Sequence, residues 1–207
     1  NATDGEHHST GQQYIVLNIG DQPIKEEADL RIDKNKITFS PDSPTSGDSF
    51  SVTATIYNAG TSKGTADIVF RDTYPNGTTK KVGVWKNESF PSGGGRDLTM
   101  SWTISNSGKH KITVETENIT NGDSKSIPVF VNPKILLVDD DQGEKGTSKD
   151  DATYMEDALD ATDFDYDTVI VRGNDGPSYD NKLKGYDVVI WMTGKEESDT
   201  LTQSDRN

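Results

Sequence analysis

Apolar residues in this chain keep two rhythms, and the change between them at Pro133 constrains the fold more than any single motif. Before it, SFSVTATIYN sets Phe50, Val52, Ala54 and Ile56 against Ser51, Thr53, Thr55 and Tyr57. That period of two belongs to a strand with one buried face and one wet face. After it, ILLV and DVVIW are unbroken apolar runs, the pattern of parallel strands covered on both sides. One chain therefore asks for two architectures in succession.

Between Ala28 and Val131 the strand candidates are ADLRID, KITFS, SFSVTATIYN, TADIVFRD, KKVGVWK, RDLTMSWTI, KHKITVETEN and SKSIPVFV. PDSPTSGD, NAGTSKG, YPNGTT, PSGGG, NSG and TNGD separate them, which is turn chemistry suited to antiparallel neighbours. About seven strands over roughly 100 residues is the profile of an immunoglobulin-like antiparallel β-sandwich. Trp85 and Trp102 lie on strands and are expected in its core. Ahead of it, residues 1–27 read as a polar N-terminus, a lone strand at Tyr14–Ile19 and a linker. That strand either ends a preceding module or adds an edge to the sandwich. His7 and His8 are adjacent but lack a third ligand, so they predict no metal site.

Asn132-Pro133 closes the sandwich, since proline cannot donate to a ladder. Residues 133–207 then alternate strand and helix. Met155, Ala158 and Leu159 fall at i, i+3 and i+4 on one face of a short helix, with N-cap candidates from Ser148 to Asp151. DTVIVRG and YDVVIWMTG are further strands, GPSYDNKLKG holds a short helical turn, and LTQSD opens another helix. Trp191 is expected under a sheet-covering helix. The fold class expected is mixed: a β-sandwich followed by an incomplete α/β domain of three layers, short of strands. Such a sheet would leave an edge open and dimerise through residues 134–193.

Composition narrows the function. With 35 acidic against 21 basic residues the net charge is −14, so nucleic acid and anionic membranes are poor partners. No apolar run of about 18 residues exists, which excludes membrane insertion by a helix of this segment. There is no cysteine, which removes disulfides, thiolate metal sites and thiol nucleophiles.

The sharpest chemical candidate is Asp139-Asp140-Asp141 at the carboxyl end of the first parallel strand, where open α/β sheets place ligands. With Glu144 these acids are candidate oxygen ligands for Ca²⁺, although D-D-D-Q-G-E lacks EF-hand spacing. The competing reading is an acidic loop that is solvated or caps a helix. No other cofactor is expected. Asn76, Asn87 and Asn118 each open an N-x-[ST] triplet, the glycan acceptor pattern of exported proteins. Asn76-Gly77 is also good turn chemistry.

Three resemblances follow. ADL at residues 28–30, SPTSGDSFSVTATIYNAGTSKGTADIVF, FPSGGG and LTMSWTISNSGKHKITVETE resemble the CARDB domain, an immunoglobulin-like module of bacterial and archaeal surface proteins. ILLVDDD resembles the start of a phosphorelay receiver, but YDVVIWMTG ends in Trp191, Met192 and Thr193 instead of an acceptor aspartate, which excludes phosphotransfer. ILLVDDD, YMEDALDATDFDYD and GPSYDNKLKGYDVVIWMTG together resemble a flavodoxin-like or glutamine-amidotransferase-like domain of secreted multi-domain proteins. In true amidotransferases a cysteine is the nucleophile, and this chain has none. Thr193 and Ser198 have no later histidine to activate them, and His110 sits in a sandwich strand. These resemblances imply a non-catalytic fragment of an extracellular or cell-surface protein with a structural, spacer or adhesion role. Its partners would be other domains of the same parent and extracellular molecules. The alternative is an accessory region of a secreted, peptidase-associated hydrolase whose catalytic part lies elsewhere.

Overall fold

The computed structural model describes residues 26–140, 151–162, 164–171, 176–177 and 182–194. The strand expected at 14–19, the histidines His7 and His8, Ser148, Ser198 and the LTQSD helix lie outside them.

Up to Val131 the described chain is antiparallel. Its strands are β1 (Leu30–Ile32), β2 (Thr38–Ser40), β3 (Ser49–Asn58), β4 (Gly64–Thr73), β5 (Thr79–Phe90), β6 (Gly95–Thr103), β7 (Gly108–Glu117) and β8 (Ser124–Val131). One sheet is built on β3, with β6 along one edge and β1 and β2 sharing the other. The second runs β5-β4-β7-β8. The alternation read in β3 is realised: Phe50, Val52, Ala54 and Ile56 are fully enclosed. They meet Ala66, Ile68 and Phe70 of β4 and Ile112 and Val114 of β7 in one core. Enclosing a phenylalanine such as Phe50 contributes about 1.5–3 kcal/mol, so the core is the main source of the sandwich's stability.

Asn58 extends the inward register of β3 and is itself buried. Its Oδ1 accepts from the amides of Asp29 (3.0 Å) and Gly60 (2.9 Å), and its Nδ2 donates to the carbonyls of Ser62 (2.8 Å) and Phe90 (3.1 Å). One side chain thus ties the start of β1, the β3–β4 turn and the end of β5. A Cβ on Gly60 would stand 2.2 Å from the Glu27 carbonyl oxygen, which explains why glycine follows two residues after this asparagine.

Trp102 packs edge-on against Phe50 with ring centroids 5.1 Å apart. Trp85, expected in the core, is instead 41% exposed. The register sets Trp85 opposite the buried Ile68, on the face turned toward the other sheet, but β5 ends its sheet's strand order, so the ring lies at the open seam instead of under a neighbouring strand. Its indole N–H donates to the Thr99 carbonyl of β6 at 3.2 Å, pinning the two sheets along that seam.

The connector is short and bonded on both sides. Asn132 N–H donates to the Pro44 carbonyl (2.7 Å), and Ser46 N–H donates to the Asn132 carbonyl (2.9 Å). Lys134 N–H then donates to Asp187 Oδ2 (3.0 Å), and its ammonium lies over the Tyr186 ring at 4.8 Å.

Beyond it, β9 (Ile135–Asp139), α1 (Ala152–Asp160), β10 (Tyr166–Ile170) and β11 (Val188–Met192) form a parallel sheet of order β10-β9-β11 with one helix. Met155 and Leu159 of α1 cover Ile135 and Leu137. Ala158, expected beside them, is exposed while Ala152 is buried. At about 100° per residue, Ala152 and Leu159 lie to one side of Met155 and Ala158 to the other. Asp151 occupies the N-cap position without a side-chain capping bond.

The opposite face carries Leu136, Val138 and Val171, met by Leu183, Tyr186 and Trp191. Among the described residues, a 3-10 turn, Leu183–Gly185, is the helical element that approaches from that side. Trp191 packs on the face opposite α1, with Leu136 and Val138, and no α-helix covers it among the described residues. Among the described residues a helical layer exists on one face alone, and the three-layer flavodoxin-like arrangement is not shown.

Candidate functional site

The acids at the end of β9 were read as candidate Ca²⁺ ligands or, alternatively, as a solvated or capping loop. Asp139 and Asp140 are 6% and 7% exposed. Parallel pairing on both sides holds them: Val171 N–H donates to the Asp139 carbonyl, and Asp140 N–H donates to the Met192 carbonyl, each at 2.8 Å. The Trp191 indole N–H donates to Asp140 Oδ2 at 3.0 Å. One of the two carboxylates is thus committed to an indole from the neighbouring strand. Asp141 and Glu144, the other candidate Ca²⁺ ligands, lie outside the described residues. Among the described residues no group of three metal-ligating side chains forms.

The three asparagines of the glycan acceptor triplets occupy turns and bulges. Asn76 sits in the β4–β5 turn, where its Oδ1 accepts from Thr78 N–H at 2.9 Å and Gly77 takes a φ of 85°. Asn87 and Asn118 adopt left-handed backbones, φ 53° and 61°, which asparagine tolerates better than most residues. Both are held by Asp67: its Oδ1 accepts from Asn87 N–H (2.8 Å), and its Oδ2 accepts from Asn118 Nδ2 (2.9 Å). The Asn118 nitrogen that would carry a glycan is therefore already bonded. Local backbone geometry accounts for an asparagine at each position.

His110 is enclosed completely. Its Nε2 donates to the Asn106 carbonyl (2.7 Å), its Nδ1 meets Asp72 Oδ1 (2.8 Å), and Tyr74 lies edge-on at 5.5 Å. Both nitrogens are engaged, so the ring fastens the β6–β7 turn and is not placed to take a proton from a substrate. Asp72 Oδ2 is buried without a partner among the described residues. The pair was legible only as an acid standing where β4 should continue Ala66, Ile68, Phe70 inward.

Asp123 and Tyr166 are among the side chains whose acidity the fold shifts. Burial works against the charge on Asp123, but the Ile32 amide, the Lys125 ammonium and the Ser124 amide outweigh it and hold the carboxyl below its ordinary range. Tyr166 donates to Asp160 at 2.8 Å. That bond, partial burial and the charges of Asp160, Glu156 and Asp157 push its hydroxyl up to about 12.

No curated protein matches the chain. Among solved structures, a CARDB domain from Pyrococcus furiosus in complex with di-metal ions is 18% identical with a TM-score of 0.42. That likeness covers 51% of this chain and 90% of the other. A β-glucosidase from Listeria innocua in complex with glucose is 18% identical with a TM-score of 0.41, covering 59% of this chain and 20% of the enzyme. Scores this low carry no functional argument. The profile of the CARDB family matches residues 27–121, just under half of the 207 residues and the greater part of the two-sheet sandwich. Over residues 27–121 the two-sheet antiparallel sandwich matches the CARDB family.

Proposed function

We propose that the chain is a non-catalytic structural module of an extracellular or cell-surface multi-domain protein, serving as a spacer and adhesive link. The CARDB match at residues 27–121 is the observation that carries this reading. The bonded connector supports the spacer part: with Asn132 and Lys134 tied to both flanking folds, one body follows the other without a free linker. The engagement of both His110 nitrogens supports a non-catalytic role. An antibody against the chain should label intact source cells without permeabilisation. Labelling only after permeabilisation would overturn the surface location, and hydrolysis of peptide or glycoside substrates by the purified chain would overturn the non-catalytic part.

We also infer that residues 133–207 belong to a doubly wound sheet. The order β10-β9-β11 supports it, because the second and third strands flank the first, as at the start of flavodoxin-like sheets. The carboxyl ends of β9 and β11 would then border the crevice, with Asp139 and Asp140 beside it. Calcium titration followed by melting temperature tests that acidic end. A rise at millimolar Ca²⁺ that Asp139→Asn abolishes supports a cation site, and an unchanged melting temperature removes it.

A further inference from the structure

The three glycan acceptor triplets, alike in sequence, are unalike in the fold, and this inference rests on the surface reading above. Asn76-Gly77-Thr78 lies in the turn between β4 and β5, where Pro75, Asn76, Gly77 and Thr78 are all exposed. Its bonds are those of the turn itself. Gly77 N–H donates to the Tyr74 carbonyl (2.9 Å), Tyr74 N–H donates to the Thr78 carbonyl (2.8 Å), and Thr78 N–H donates to Asn76 Oδ1 (2.9 Å). Neither Asn76 Nδ2 nor the Thr78 hydroxyl is bonded to a described residue. A Cβ on Gly77 would meet nothing within 4 Å, so the space around the turn is open.

The other two triplets are anchored. Asn87-Glu88-Ser89 lies within β5, with Glu88 opposite Ala66 and Ser89 opposite Thr65 in the ladder, and Glu88 is paired with Arg96. Asn118 Nδ2 donates to Asp67 Oδ2 (2.9 Å), and Ile119, the middle residue of its triplet, packs against the sandwich core. An enzyme that draws an acceptor segment into its own groove must peel β5 from β4 in the first case and pull Ile119 from the core in the second. Hairpin tips open at far lower cost than ladders and cores.

We propose that Asn76 is the N-glycosylation site of the folded chain, and that the donor is an oligosaccharide linked through phosphate to a polyprenyl lipid. Asn76 Nδ2 forms a bond to the anomeric carbon of the first sugar, and the bond from that carbon to the phosphate oxygen breaks. The lipid phosphate leaves, and one Nδ2 proton passes to a base of the transferase. The glycan adds hydrated bulk at the end of the sandwich from which the connector departs, since Pro75 lies against Gly108 and Gly108 pairs with Val131.

Incubating the folded full chain with a polyprenyl-phosphate-linked oligosaccharide and an oligosaccharyltransferase that requires only N-x-[ST] tests it, read by glycopeptide mass mapping. Asn76 should be modified about tenfold or more faster than Asn87 or Asn118, since each of those must first lose ladder, hydrogen-bond or core contacts. Asn76→Gln should leave the folded chain almost unmodified, with its melting temperature unchanged. Synthetic peptides spanning the Asn76 and Asn118 triplets, which both end in threonine and carry no fold, should react at similar rates. The proposal is overturned if Asn76 stays bare in the folded chain or if Asn87 or Asn118 is modified as fast. It is also overturned if the two peptides already differ as much as the folded sites, which would place the choice in the sequence. Cell labelling decides location and transfer to the purified chain decides the acceptor, so either reading can fail alone.

Discussion

β9 and β11 have nearly the same apolar character, ILLVD against VVIWM, yet every residue of the first is buried and none of the second is. Their difference is position: β9 lies between two strands and beneath α1, whereas β11 is a sheet edge among the described residues. From Phe50 to Ile56 β3 shows no such mismatch: its apolar residues are buried and its serine and threonines half-buried. Alternation specifies which face is inside, because a slip by one residue would invert it. A continuous apolar run specifies only that burial is wanted. The two halves of the chain thus differ in how strongly local sequence determines local burial.

That contrast can be broken by substitution. The largest effect should come from Asn58→Ala, which strands two amides and two carbonyls at the close of β3. A loss of about 3–5 kcal/mol in urea unfolding of the sandwich is expected. A loss below about 1 kcal/mol would show that water replaces the side chain.

Next, Leu137→Ala in the centre of β9 should cost about 2–5 kcal/mol. Hydrogen exchange should locate the loss in residues 135–192 and leave β3 and β7 protected as before. Faster exchange across the sandwich would mean that the two halves share one cooperative unit. Val188→Ala on the edge should cost less than Leu137→Ala, and an equal cost would refute the account of β11 as an exposed edge.

Acid should act on the sandwich through Asp123. Its folded carboxyl titrates below the ordinary value near 4, so the stability it contributes is present above that value and lost as pH falls through the folded one. Asp123→Asn should be less stable than wild type at neutral pH, with a shallower further loss in acid. Parallel pH profiles would remove Asp123 from the acid response.

The smallest effect is alkaline and belongs to the α/β side. Tyr166 keeps its proton to about 12, so its contribution is intact below about 10 and lost as pH rises toward 12. Ultraviolet titration should show a late-ionising tyrosine that Tyr166→Phe deletes. Ionisation with the exposed tyrosines would show that the bond to Asp160 is not held in solution.

Strand candidates in β1 through β11 were legible because each rests on a run of consecutive residues and a turn. The candidate sites were less so. Asp139 and Asp140 looked like Ca²⁺ ligands or a solvated pair, because nothing local reveals that Trp191, fifty residues on, will reach Asp140. Trp85 looked like core, but it sits on the end strand of its sheet, at the seam with β6, and stays partly exposed.

By itself, then, the sequence determined the change of architecture at Pro133, the strands on either side of it and the inward register of β3, since these follow from backbone geometry acting over a few residues. Tertiary structure alone decided which equally apolar strand is buried, which acids lose their water and which buried polar atoms find partners. Those outcomes depend on groups far apart in the chain being brought within a few ångströms, and no local pattern records that distance.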